Sequence, residues 1–539
     1  MEWWKRSVAY QVYPMSFCDS NNDGMGDIRG IINKLDYLKL LGIDVIWLTP
    51  VYASPLDDNG YDISDYYAVN PQFGTLADLE ELLREVHVRG MKLIMDLVVN
   101  HTSDEHVWFK SAVSDVNSPY RDYYIFSDTI ATAQQSFFSG SAWEYSTQAQ
   151  QYYFHQFSKR QPDLNWDNAK MRGEIYAMIN WWLDKGLDGF RLDVIDLVGK
   201  LPLEERVDLA KTHRFLQEMN SACFAGRDVL TVGETPLATA DSAWLFSAAS
   251  RRELSMVFGF EFVALDEVAG EGKWELCQLQ LSELKAVFSK WQIALHNNGW
   301  NSLFWSNHDQ PRIVSRFGDD NEYRVVSAKM LATLLHGLQG TPYIYQGEEL
   351  GMTNVKFELD EYADIETKNM VKEKQAAGWS MAKIMAGIYA KGRDNARTPM
   401  QWDATANAGF STGTPWLAVN PNYPEINVAE SIVEANSVFH YYQKLIKLRR
   451  EHEVIVNGDY KLIFPDHPAV FAYERTHGPT KLTVICNFYQ PSVELALDIY
   501  GKSILAANYA EPIFANGKLQ LRPFEALMLV EITGADVEQ

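Results

Sequence analysis

The sequence predicts an α/β fold: a (β/α)8 barrel with a lobe inserted after its third strand and a C-terminal antiparallel β-sandwich domain. Three observations predict it. Eight short apolar, β-branched runs alternate with amphipathic helical stretches over most of the 539 residues. Alternation of this kind demands parallel strands joined by crossover helices. One long segment, 101–171, breaks the alternation without a helical period, and beyond residue 458 the apolar period falls to two, as in antiparallel strands.

The strand runs are 8–13, 45–49, 92–99, 188–195, 229–233, 255–260, 302–306 and 342–346. Between the first two, the spacing of Ile28, Ile31, Ile32, Leu35, Leu38 and Leu41 marks one apolar face and predicts a helix over 28–41. The segment 101–171 is rich in Tyr, Phe, Ser, Asp and Gln, and an excursion of that length is read as a small lobe over the active face rather than a loose loop. A second, charged insertion at 353–410 follows the eighth run. A helix at 438–450 precedes alternating strands at 460–464, 470–475 and 481–488. The predicted organisation is barrel 1–100, lobe 101–171, barrel continued 172–458 and β domain 459–539.

A net charge of −23 argues against nucleic acid or an anionic membrane as partner. No apolar run approaches the roughly 20 residues of a membrane span. The start, Met1-Glu2-Trp3-Trp4-Lys5-Arg6, lacks the layout of a secretory signal. Cys18, Cys223, Cys277 and Cys486 are scattered and form no metal-type pair, so reduced thiols in a cytoplasmic, monomeric protein are expected. Aromatics make up 13% of the chain, which serves either a large core or stacking on sugar rings.

Chemistry enters at the strand ends. In 188–195 an apolar strand carries Arg191 and Asp193, two residues apart and therefore on one face. A charged pair there is costly unless a polar cavity receives it. The third run ends Asp96-Leu97-Val98-Val99-Asn100-His101, the fifth Gly233-Glu234 and the seventh Asn307-His308-Asp309. Catalytic groups of such barrels sit at the C-terminal ends of the strands. Four strand ends with this content are hard to explain as core.

These four segments, in this order, resemble the α-amylase family of glycoside hydrolases, and the resemblance covers essentially the whole chain. It implies Asp193 as nucleophile, Glu234 as acid/base and Asp309 as a carboxylate that binds sugar hydroxyls. Retaining hydrolysis needs two such carboxyls roughly 5–5.5 Å apart. Arg191 is expected to keep Asp193 ionised, and Glu234 to hold its proton in a drier site. His101 and His308 are expected to donate hydrogen bonds to the same glucose unit. Tyr61 is expected to stack on a sugar face and Asp62 to accept hydroxyls. The resemblance pairs Arg397, in the segment Gly392-Arg393-Asp394-Asn395-Ala396-Arg397, with Asp62 to close the pocket behind a terminal glucose. A closed pocket implies removal of one glucose at a time.

Within the family the chain is most similar to the oligo-1,6-glucosidases and glucan 1,6-α-glucosidases. In that branch valine after the nucleophile, here Val194, accompanies α-1,6 cleavage, and Lys273 and Glu366 match contacts to the second sugar. The implied function is release of α-glucose from isomalto-oligosaccharides, panose or dextran. Three places depart from the branch: Asp208-Leu209-Ala210, Thr235-Pro236-Leu237 after Glu234, and Phe260 in Phe260-Glu261-Phe262. All bear on the leaving-group side. The alternatives are a trehalose-6-phosphate hydrolase, a broader α-glucosidase acting on sucrose or isomaltulose, and a transporter-associated glycoprotein of the same fold. The last needs a membrane anchor and typically lacks the catalytic set.

Asp19-Ser20-Asn21-Asn22-Asp23-Gly24-Met25-Gly26-Asp27 places oxygen-bearing groups at alternate positions around Gly24. The start matches an EF-hand loop, although Gly30 stands where the closing Glu would be. The resemblance implies a structural Ca²⁺ held by Asp19, Asn21, Asp23, the Met25 carbonyl and Asp27, with no organic cofactor.

Overall fold

The structure is a computed structural model and describes residues 2–532. Eight parallel strands close into a barrel: β1 (Ala9–Val12), β2 (Val45–Leu48), β3 (Lys92–Leu97), β4 (Gly189–Leu192), β5 (Leu230–Glu234), β6 (Met256–Phe258), β7 (Asn301–Phe304) and β8 (Thr341–Tyr345). β1 pairs in parallel with both β2 and β8, so the sheet has no edge. Most strands are shorter than the runs that predicted them. Beyond β3 and β4 the chain leaves the ladder, and residues 98–101 and 193–195 turn out at the barrel mouth. Gly189 opens β4 at φ +143°, where a Cβ would lie 1.8 Å from the Leu230 carbonyl oxygen, so β4 and β5 meet there only through glycine.

The helix predicted over 28–41 is two helices, Ile28–Asn33 and Leu35–Leu41. Lys34 breaks them at φ −110°, ψ 5° while the apolar face continues across. Asp27 caps the first by accepting from Gly30 N at 2.6 Å. The 101–171 segment contains a helix that its composition hid, Val107–Ser114. At 8 residues it makes barely two turns, too few to display a period. Three short antiparallel strands, Phe126–Ser127, Gln151–Phe154 and Trp143–Ser146, complete this region around Ala142, Trp143 and Phe154.

After β8, helices Ile365–Ala376 and Met381–Lys391 form their own small core with Val355, Phe357, Met370, Ile384 and Ile388. Asn369 Nδ2 donates to the Phe138 carbonyl at 3.1 Å, so this insertion meets the lobe above the barrel mouth.

The helix Val438–Glu451 leads to the C-terminal domain. Its strands are β9 (Asp459–Ile463), β10 (Val470–His477), β11 (Thr480–Asn487), β12 (Val493–Leu495), β13 (Ser503–Ala507), β14 (Ile513–Ala515), β15 (Lys518–Leu521) and β16 (Ala526–Ile532). β9, β10, β11, β16 and β13 form a five-stranded antiparallel sheet, and β12, β15 and β14 a three-stranded one. Alternation along the strands decides the packing. Val470, Ala472, Ile485, Leu527 and Leu529 meet Leu495, Leu519 and Leu521 of the smaller sheet. Phe471, Tyr473, Val484, Cys486 and Met528 face the barrel's core instead. The predicted end of this domain, 533–539, lies outside the described residues. Half of the tryptophans join the buried core, Trp166 and Trp305 entirely. Among the described residues no helix is long and apolar enough to cross a membrane.

Candidate active site

Arg191, buried at the end of β4, gathers three carboxylates. Its Nη1 lies 2.5 Å from Asp96 Oδ1 and 2.5 Å from Asp193 Oδ1, and its Nη2 lies 2.6 Å from Glu234 Oε2. Asp96, on β3, also accepts from Trp47 Nε1 at 2.7 Å and Tyr61 Oη at 3.2 Å. Glu234 Oε2 accepts from the Val194 backbone N–H at 2.9 Å. Val194 adopts φ +34°, a strained value for a β-branched residue, and that turn aims its N–H at Glu234.

One guanidinium cannot compensate three buried carboxylates. Burial raises the Asp96 carboxyl to about 6 despite Arg191. It pushes Asp193 well above the usual range, reinforced by Glu234 and Asp96 and opposed by Arg191. Arg191 is thus outweighed by burial and by the neighbouring carboxyls, and the cluster favours the protonated form of Asp193 more than open water would. Asp193 and Glu234 keep 6% and 8% of their surface exposed, whereas Arg191 and Asp96 are sealed.

Asp309 anchors a second cluster. Arg397 Nη2 is 2.7 Å and Arg393 Nη1 3.3 Å from Asp309 Oδ1. Arg393 also holds Asp364 at 2.5 Å and Asp58 at 3.1 Å. Burial alone would raise Asp309, but the guanidiniums of Arg393, Arg397 and Arg191, joined by His308 where that ring is charged, hold its carboxyl well below the usual range. Asp364 is likewise held low, burial being outweighed by Arg393 and Arg397. Asp364 is also the N-cap of Ile365–Ala376, so one side chain sets both the helix start and the arginine.

The pairing expected between Asp62 and Arg397 is not formed. Asp62 accepts from Ser54 Oγ at 3.0 Å and from the backbone N–H groups of Asp57 and Asp58 at 2.9 and 3.1 Å. Its carboxylate closes its own turn. The acid–arginine pair behind the site is instead Asp58–Arg393, both buried. Asp58, Asp364 and Arg393 were not singled out from sequence. The only signal was their nearness to Asp62, Glu366 and Arg397 along the chain.

The two histidines are already engaged. His101 Nδ1 accepts from Asn100 Nδ2 at 3.2 Å, which leaves Nε2–H to donate to the Tyr61 carbonyl at 3.1 Å. His308 Nδ1 accepts from Gln11 Nε2 at 2.8 Å, and its Nε2 lies 3.1 Å from Asp309 Oδ2. Burial lowers their pKa values to about 4 and about 3, so both rings are neutral. Both ring nitrogens of His101 are engaged within the fold, whereas His308 Nε2 lies beside the Asp309 carboxylate at the site. Tyr61 stacks its ring on His308 with centroids 5.1 Å apart and a 4° tilt.

Lys273 Nζ lies 2.6 Å from Glu366 Oε2, and Glu366 lies 3.5 Å from Arg393 Nε. These two therefore extend the Asp309 cluster outward. Phe138 of the lobe covers Arg393 at 4.8 Å.

In the Asp19 loop, Asp19 accepts from Asn21, Asn22 and Gly24 N–H groups, Asp23 from Met25 N–H, and Asp27 from Ser20 and Gly30. Carboxylate, amide and carbonyl oxygens suit a hard cation. Each side chain nonetheless turns toward loop hydrogen bonds, and among the described residues no three His, Cys, Asp or Glu side chains converge as a metal centre.

Comparison with known proteins agrees with this geometry. The family model described as alpha amylase, catalytic domain, matches residues 11–458. An oligo-1,6-glucosidase of Halalkalibacterium halodurans is 54% identical over 97% of this chain and 98% of that protein. A glucan 1,6-alpha-glucosidase of Streptococcus pneumoniae is 53% identical over 94% and 96%. The crystal structure of Bacillus licheniformis trehalose-6-phosphate hydrolase superposes with a TM-score of 0.93 at 46% identity, covering 99% of this chain and 100% of that one. With the barrel, the strand-end carboxylates and these matches together, the chain belongs to the α-amylase family.

Proposed function

We propose that this protein is a retaining, exo-acting α-glucosidase that hydrolyses α-1,6 bonds at the non-reducing ends of isomalto-oligosaccharides, panose or dextran. The observation that carries it is the Arg191 fork, with Asp193 on one terminal nitrogen and Glu234 on the other. A retaining pair must stand roughly 5–5.5 Å apart, and sharing one guanidinium holds these two carboxyls near each other. Asp193, once ionised, attacks the anomeric carbon while Glu234 protonates the departing oxygen. Water then attacks the covalent glucosyl-enzyme, with Glu234 taking its proton, and α-glucose leaves. Asp309, held anionic by Arg393 and Arg397, accepts sugar hydroxyls, and that contact strengthens as positive charge develops on the ring.

Exo action is supported by the wall behind the site. Asp58, Asp364, Arg393 and Arg397 fill the space past Asp309, and Phe138 and Asn369 join lobe to insertion above it. Cations that an anionic leaving sugar would need are matched already, Lys273 with Glu366 and Lys200 with Asp163, which favours neutral sugars over a phosphorylated disaccharide. The free thiols, Cys277 exposed, fit a reducing cytoplasm.

The test is a panel of isomaltose, panose, dextran, maltose, sucrose and trehalose 6-phosphate, with the first-formed anomer followed by NMR. Isomaltose or panose should be preferred, with α-glucose appearing first. Initial β-glucose would rule out retention, and preference for trehalose 6-phosphate would replace the substrate class.

The α-1,6 preference is assigned to Val194, a half-buried apolar wall directly beside Asp193 and Glu234. Val194→Ala should raise the maltose-to-isomaltose ratio of kcat/KM about tenfold, since one pocket methyl or two is worth roughly 1–3 kcal/mol of discrimination. An unchanged ratio would remove Val194 as the determinant.

For Ca²⁺, the proposed ligands are Asp19, Asn21, Asp23, the Met25 carbonyl and Asp27. The ion would tie this loop to 411–414, where Ser411 already bonds Asp19 at 2.5 Å. Adding Ca²⁺ to chelator-treated protein should raise the melting temperature by several degrees through binding to the folded state alone. Identical melting curves at millimolar Ca²⁺ would exclude the site.

A further inference from the structure

Three successive residues after Asp193 each grip a different part of the chain around Glu234. Val194 N–H donates to Glu234 Oε2 at 2.9 Å. Ile195 packs against Gly233, where a Cβ would come within 3.3 Å of its Cγ2 and 2.6 Å of Leu254. Asp196 Oδ2 accepts from Leu237 N–H at 2.7 Å. The turn carrying the proposed nucleophile and the loop carrying the proposed acid are thus clamped together at 233, 234 and 237.

Asp196 is the unusual member. It is fully buried, and among the described residues no cation pairs with it and its Oδ1 has no hydrogen-bond partner. A buried carboxyl so poorly satisfied is costly, and an apolar residue would pack the position more cheaply. Burial raises it to about 8, opposed by the backbone N–H groups of Leu237, Asp196 and Ala238 and reinforced by Glu234, which favours the neutral form near pH 7. A neutral carboxyl retains an acceptor for Leu237 without adding negative charge beside Arg191's three carboxylates. Its own carbonyl is fixed by Thr212 Oγ1 at 2.9 Å, which anchors it to the helix Leu209–Met219.

We propose that Asp196 is a positioning residue for the general acid, holding residues 235–238 so that Glu234 addresses the leaving oxygen. The inference rests on Glu234 being the acid of the proposed reaction. It makes a prediction that a merely structural role does not. Misplacing the acid harms substrates whose leaving group must be protonated and spares those whose leaving group departs as a stable anion.

The experiment compares kcat/KM on isomaltose and on p-nitrophenyl α-glucoside for the full-length protein. Glu234→Gln is the reference and should lose about 10³-fold on isomaltose but far less on the aryl glucoside. Asp196→Ala should lose at least about 30-fold on isomaltose and no more than about threefold on the aryl glucoside. Asp196→Leu, which keeps the branched shape without an acceptor, should behave like Asp196→Ala and serves if alanine fails to fold. Asp196→Asn keeps the acceptor for Leu237 and should stay within about threefold on both. Equal losses on the two substrates, or no loss on isomaltose, would overturn the role of Asp196, as would Asp196→Asn behaving like alanine. If Glu234→Gln itself shows equal losses, the assignment of the acid fails instead, and the two failures are distinguishable.

Discussion

Replacing Asp193 with alanine is expected to lower kcat/KM on isomaltose by at least about 10⁴-fold, close to 5 kcal/mol of transition-state stabilisation. The protein should remain folded. Asp193 is one of three carboxylates around one guanidinium, and burial already penalises its charge, so its removal relieves repulsion. The melting temperature should therefore stay within a few degrees of wild type, or rise. Glu234→Gln should lose about 10²–10⁴-fold, the range of general acid–base catalysis. Hydrolysis within tenfold of wild type for the Asp193 variant would sink the nucleophile assignment. Loss of activity accompanied by unfolding would show that Arg191 and its carboxylates serve the fold instead.

The second large effect is expected at Arg393. Arg393→Ala leaves Asp58, Asp309 and Asp364 facing one another with only Arg397 between them. Removing one partner of a buried ion cluster costs about 3–5 kcal/mol, because the remaining charges stay desolvated and uncompensated. Chemical denaturation should show that loss, and kcat/KM should fall at least about hundredfold as Asp309 loses its support. Arg393→Lys keeps the charge but cannot span four carboxylates with one ammonium, and should recover only part of both. A stability change below about 1 kcal/mol with unchanged kcat/KM would mean that the cluster neither holds the wall nor tunes Asp309.

The eight strands were readable because apolar β-branched runs and the intervening helical period are local properties of the chain. The Arg191–Asp193 pair was readable for the same reason, since residues two apart on a strand share a face whatever surrounds them. Short-range breaks were harder. The bend at Lys34 leaves the apolar face of 28–41 uninterrupted, and Val107–Ser114 is too brief to announce its period.

Which acid meets which arginine was not a local property. Asp58 and Asp62 lie four residues apart, as do Arg393 and Arg397, and composition cannot rank the pairings. Between the two acids, Asn59 at φ +52° and Gly60 at φ +106° reverse the chain. That turn directs Asp62 back onto its own N–H groups and leaves Asp58 to face Arg393. The partners of both histidines and the raised carboxyl pKa values around Arg191 are of the same kind. Residue types at strand ends are written in the linear chain. Their partners and protonation are decided by burial and by distances of a few ångströms between segments hundreds of residues apart.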